Sequence, residues 1–177
     1  METSLPEVKW RPVPGSYQVE VEPLSACSLR EHGTDLVNAH CQECESEWIS
    51  KLSPDWEAIA EAQRLGQMFL LGAWGWRAPL EKTDLSTPRE LVGYAAVSVT
   101  TSLHYADHIV GHVGAMFVST VWRQRGAGKI LMDAVRRDAK AAGVHALFVS
   151  AKPGSAMETF MAREGLVREE CIYRVDL

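Results

Sequence analysis

No stretch of this chain reaches the roughly 18 consecutive apolar residues that a membrane-spanning helix needs, so no such span is expected. A basic surplus is missing too: 18 Lys and Arg stand against 23 Asp and Glu, a net charge of −5. Proteins that neutralise a nucleic-acid backbone carry the opposite balance, which argues against general DNA or RNA binding. A local basic patch can still hold an anionic ligand. Cysteine is sparse, at Cys27, Cys41, Cys44 and Cys171, and Met1 to Pro14 lacks a signal peptide's charged start and apolar middle. A disulfide framework is therefore not expected, and reduced thiols in a cytoplasm are. Internal repeats and low-complexity segments are absent. What remains is an ordinary globular composition, 46% hydrophobic and 23% charged over 177 residues, which suits one packed domain.

The pattern of apolar residues divides that domain into elements. Residues 1–16 read as a loose arm, and Tyr17 to Val21 alternate as an edge strand ended by Pro23. Leu24 to Trp48 reads as helix with a break near Gly33. Ser53 and Pro54 suit the N-cap and first position of a further helix, with Trp56, Ile59, Ala62 and Leu65 as its buried stripe and Gly66 as its stop. Met68 to Trp76, Leu91 to Thr100 and Ile109 to Val118 read as strands, and 77–89, with two prolines and several charges, as an exposed hairpin loop. The second and third of these strands are apolar at nearly every position, which predicts a sheet covered on both faces. Gly126 to Ala142 is an amphipathic helix with Ile130, Leu131, Ala134, Val135 and Ala139 on one face. A short strand to Ser150, a helix from Ser155 to Glu164 and a final strand from Leu166 to Leu177 follow. The order defines an α/β layer fold with a mixed sheet, and 109–150 as a parallel strand–helix–strand crossover.

The chemistry concentrates where strand gives way to helix, in Arg123-Gln124-Arg125-Gly126-Ala127-Gly128-Lys129. Glycines at 126 and 128 let main-chain N–H groups approach a ligand closely. Those groups are unsatisfied at a helix start, where the dipole adds about half a positive charge. An anion site results, well suited to a pyrophosphate, with Arg123, Arg125 and Lys129 as added cationic donors. The dinucleotide fingerprint G-x-G-x-x-G and the P-loop are both absent.

The run R-x-x-G-x-G from Arg123 to Gly128 resembles the [QR]-x-x-G-x-[GA] signature of the GNAT superfamily, the Gcn5-related N-acetyltransferases. The order of elements from Tyr17 to Leu177 resembles theirs as well. Leu52 to Trp56, Leu91 to Tyr94, Leu103 to Tyr105 and Glu170 to Tyr173 look like segments of small GNAT proteins of tailed bacteriophages. The resemblance implies a mixed, mostly antiparallel sheet with a central splayed parallel strand pair and helices on both faces. It implies acetyl-CoA as co-substrate, without a metal, and transfer of its acetyl group to a primary amine of a protein or small molecule. In that reading the main chain of Met116, Phe117 and Val118 takes the pantetheine arm, and Arg123, Gln124, Arg125, Gly126, Ala127, Gly128 and Lys129 form the pyrophosphate loop. Glu43 and Glu47 lie on the helix that would border the acceptor. A homodimer and a host-protein partner are further expectations of the same kind.

The resemblance leaves the proton carriers open. Family members often carry a Tyr acid on the last helix, and Met161 stands in its place here. His112 and Tyr105 are candidates for the base, with His104, Asp107, Glu158 or a water-mediated path as alternatives. Met161 also motivates a different class: a protein that binds acyl-CoA, turns over weakly and acts by docking on a partner. Plainer readings stand beside each choice. His112 can be a packed strand histidine, Glu43 and Glu47 a solvated helix face, and Trp48, Trp56, Trp74 and Trp76 core rather than pocket. Cys41 and Cys44 form a lone C-x-x-C beside His40, short of the ligand number a structural zinc site needs.

Overall fold

The computed structural model describes residues 16–44, 53–77, 88–102 and 107–169. Five strands form one sheet in the order β1-β2-β3-β4-β5: Tyr17–Leu24, Met68–Arg77, Glu90–Thr101, Ile109–Val118 and Val144–Val149. The first four pair antiparallel, and β4 with β5 is the parallel pair. β1 runs through Pro23, three residues past the expected end. An edge strand tolerates proline because one row of its N–H groups faces outward.

The sheet is covered on both sides, which accounts for the unbroken apolar run of β3. One side packs against α5 (Ala127–Ala141) and α6 (Ala156–Arg163), where Leu131, Met132, Val135 and Met161 meet Leu71, Val92 and Val113. The opposite side packs against α1 (Ala26–His32) and α2 (Thr34–Cys44), where Leu29, Leu36 and Val37 meet Leu70, Leu91 and Phe117. Trp56 and Ile59 of α3 (Trp56–Arg64) and Trp74 join this second cluster as partly buried core side chains.

The break near Gly33 separates α1 from α2, and space dictates it. A Cβ at Gly33 would stand 2.6 Å from Leu29 Cδ1, 2.8 Å from the Leu29 carbonyl and 3.0 Å from Leu91 Cδ2. The corner between the helices thus presses on β3. Three details depart from the sequence reading. Asp55, not Ser53, caps α3, its carboxylate accepting the Ala58 N–H at 2.9 Å. Leu65, the C-cap just past the end of α3, and Ile130, near the start of α5, are exposed rather than buried. A four-residue helix, α4 (Thr120–Arg123), fills the turn before α5. Of the expected last strand, 166–169 is irregular, and Glu170 to Leu177 lies outside the described residues. The arm at 1–15 and most of the 77–89 loop do too.

Candidate functional site

β4 and β5 part company before β4 ends. Their register runs from Ile109 opposite Val144 to Val113 opposite Val149 and goes no further, while β4 continues to Val118. The break coincides with a bulge. Ala96 faces Ala115 and Val97 faces Val113, so Gly114 is an extra residue in β4. Glycine suits the bulge and leaves it open: a Cβ there would meet only His112 Nδ1, at 3.9 Å. Beyond the bulge, the Ser119 N–H bonds the Val92 carbonyl of β3 at 2.8 Å. Strand alternation therefore turns the N–H and C=O groups of Met116 and Val118 the other way, toward the edge that β5 has left. The side chains of Met116, Phe117 and Val118 are buried, so this edge offers main chain.

At its end the chain turns through α4 into α5. Gly126 is the N-cap, at φ +81° and ψ 2°, a left-handed conformation that costs side-chain-bearing residues about 1–2 kcal/mol. A Cβ at Gly126 would meet nothing within 4 Å, so the glycine is demanded by the backbone angle rather than by crowding. At Gly128 a Cβ would touch only the Phe160 ring, at 3.7 Å, an ordinary contact. No side chain caps α5 and no acidic residue occupies its first turn. The contrast is internal to the molecule: Ser25, Asp55 and Ser155 cap α1, α3 and α6 by accepting N–H bonds from Ser28, Ala58 and Glu158. The longest described helix thus presents its N-terminal N–H groups and its dipole without a side-chain acceptor.

The cations expected around that turn are largely engaged. Arg123 donates from Nε to the Val118 carbonyl at 2.8 Å and from a terminal nitrogen to Glu43 at 2.6 Å, with its guanidinium 5.0 Å from the Phe117 ring centre. Arg125 lies flat on Tyr17, 3.3 Å from the ring centre, with Trp122 on another side. Lys129 pairs with Asp133 at 3.2 Å and Glu164 at 3.6 Å. The hydrogen bond that Lys129 donates to Asp133, aided by the charges of Asp133 and Glu164, raises the Lys129 pKa above its ordinary value. Gln124 is the exposed C-cap of α4.

His112 stands where the strands separate. Its Nε2 hydrogen-bonds Ser150 Oγ across the gap at 2.8 Å, just past the last β4–β5 pair, and its ring borders the Gly114 bulge. Ser98 Oγ approaches its carbonyl at 3.4 Å. Of the alternative bases, Glu158 accepts the Gly154 N–H at 2.6 Å and lies 3.9 Å from Arg168, and Asp107 sits in an exposed turn. Tyr105, His104, Glu47 and Trp48 lie outside the described residues. Met161 is 7% exposed and packs into the α5–α6 core. Among the described residues no group of three His, Cys, Asp or Glu side chains could hold a metal ion.

The sequence reading passed over one cluster. On the α2 side, His40 stacks on Phe117 with ring centres 5.1 Å apart, and its Nδ1 and the Tyr94 hydroxyl hydrogen-bond at 2.7 Å. Tyr94 is directly opposite Phe117 in the β3–β4 register. His40 and Glu43, three residues apart, share a helix face, and that spacing was the one available clue. Ser150 carried no signal at all, since only the strand pairing brings it to His112.

A five-stranded mixed sheet that opens between parallel strands beside a glycine-started helix is the fold that the GNAT resemblance implies. The sequence model of the acetyltransferase (GNAT) family matches residues 34–158, more than half of the chain, and the chain belongs to that family. Among solved structures, a Trypanosoma brucei acetyltransferase is 19% identical, with a TM-score of 0.62 over 90% of this chain and 100% of its own. An aminoglycoside acetyltransferase from an uncultured soil metagenomic sample, in complex with sisomicin, is 18% identical, with a TM-score of 0.65 over 90% and 96%. A ribosomal-protein-alanine N-acetyltransferase from Brucella melitensis biovar Abortus 2308 is 16% identical, with a TM-score of 0.64 over 90% and 99%. At these identities the likeness is one of fold. No curated protein matches the chain by sequence.

Proposed function

We propose that this protein is an acetyl-CoA-dependent N-acetyltransferase acting on a primary amine by direct attack within a ternary complex. The observation that carries the reading is the open main-chain edge from the Gly114 bulge along Met116 to Val118, followed through α4 by the uncapped start of α5. A pantetheine arm can pair with the open strand edge as a further strand would, and a diphosphate suits the N–H groups of residues 126–129. Because Arg123 and Lys129 already hold carboxylates, binding rests on main-chain N–H groups and the helix dipole more than on side-chain charge. The bound thioester supplies the electrophilic carbonyl. The N–H of Met116 lies on the same edge and would stabilise the oxygen that gains charge as the amine attacks. His112, beside the bulge and held by Ser150, would take the proton from the amine.

Met161 can donate no proton. A thiolate is a far weaker base than an amide or alkoxide ion and leaves with less acid assistance, so solvent can serve. The same residue also supports the second reading, a protein that binds acyl-CoA and turns over weakly. The two separate in one experiment: thiol release from acetyl-CoA, followed against a panel of aminoglycosides, N-terminal alanine peptides and small polyamines. Turnover with any acceptor supports the enzyme. Coenzyme A binding with no turnover across the panel supports the binding protein. As part of the same proposal, the protein works in a bacterial or phage-infected cytoplasm, where acetyl-CoA is present and thiols stay reduced.

A further inference from the structure

Arg123 opens the glycine motif, yet its side chain points away from the start of α5. It spans from the last carbonyl of the open strand edge, Val118, to Glu43 on α2, and lies over Phe117. His40, one helical turn before Glu43, lies against the same Phe117 ring. α2 is thus fastened to the ligand-facing strand at two points on one of its faces. We infer that Arg123 is a positioning residue: it transmits occupancy of the coenzyme A cleft to α2 through the Val118–Arg123–Glu43 chain. The inference rests on the proposed function for its ligand.

The physical basis is entropic. The Arg123 and Glu43 side chains are 33% and 41% exposed. A half-exposed ion pair contributes little while its ends are free to move, because holding two long side chains in one geometry costs entropy and water screens the charges. A ligand laid along Met116 and Val118, with its diphosphate at 126–129, would fix the main chain on both sides of Arg123 and exclude water from beside it. Less freedom would then be lost when the pair forms, and α2 would be held more tightly once the cleft is filled.

The test combines calorimetry with amide hydrogen exchange on the full chain, using coenzyme A as the probe. In the wild type, coenzyme A should slow exchange of the amides in residues 34–44 by roughly fivefold or more. In Glu43→Gln, coenzyme A should still bind and still protect the first turn of α5, but the slowing in 34–44 should vanish. Should that variant fold poorly, Arg123→Lys, which keeps the charge and loses the two-pronged geometry, must show the same loss. A brace with no coupling role would speed exchange equally with and without coenzyme A and leave the ratio intact; that ratio, or an α2 indifferent to coenzyme A in the wild type, overturns the inference. A wild type that gives no binding heat instead overturns the proposed function beneath it, and the inference falls with it.

Discussion

Glycines at 126 and 128 look alike in the motif and do different work in the structure. Gly126 answers a backbone demand, at φ +81° with open space around it, whereas Gly128 sits in regular helix with only Phe160 within 4 Å. Gly128→Ala should therefore keep or raise stability, by up to about 1 kcal/mol from helix propensity. Thermal unfolding checks that half. The added methyl would lie against Phe160, beside the N–H groups proposed for the diphosphate; if it narrows their approach, calorimetry should show coenzyme A affinity reduced by roughly tenfold, the equivalent of one lost contact. His112→Gln keeps a polar group at Ser150 but has no basicity. It should lower kcat by about a hundredfold or more, with the coenzyme A KM nearly unmoved, in a thiol-release assay. At this scale the glycines and cations of the turn were legible, since a motif names them directly. The engagement of the cations was not. Glu43 is eighty residues from Arg123 and Glu164 is thirty-five from Lys129, and no local pattern joins them.

At the scale of elements, most of the sheet and helices were legible because apolar periodicity encodes burial. The β4 bulge had one legible hint, a glycine inside a strand, but its register could come only from the pairing with β3. The cap of α3 was misplaced by two residues because Ser53, Pro54 and Asp55 all favour a helix start, and the carboxylate of Asp55 wins the Ala58 N–H. The α1–α2 corner is where an element-level prediction is sharpest. Gly33→Ala puts a methyl against the Leu29 carbonyl and Leu91, and the backbone partner cannot swing aside. The variant should lose about 1–3 kcal/mol, read as a lower urea midpoint at an unchanged slope. A loss below about 0.5 kcal/mol would mean the corner yields freely.

Across the described residues, two apolar clusters pack on opposite faces of one sheet, and between them β4 offers an edge after β5 diverges, followed through α4 by the uncapped start of α5. Local consistency elsewhere makes the exception informative, because proteins give up caps and pairings chiefly where function needs those groups. The central claim is that this surface binds coenzyme A through main-chain groups, and isothermal calorimetry of coenzyme A against the wild type and Gly126→Val tests it most directly. The account predicts a wild-type Kd in the range of about 1 μM to 1 mM, typical of enzyme substrates, and at least roughly tenfold weaker binding in a variant that still melts cooperatively. An absence of binding heat in the wild type at millimolar coenzyme A, or an affinity that Gly126→Val leaves untouched, would contradict it.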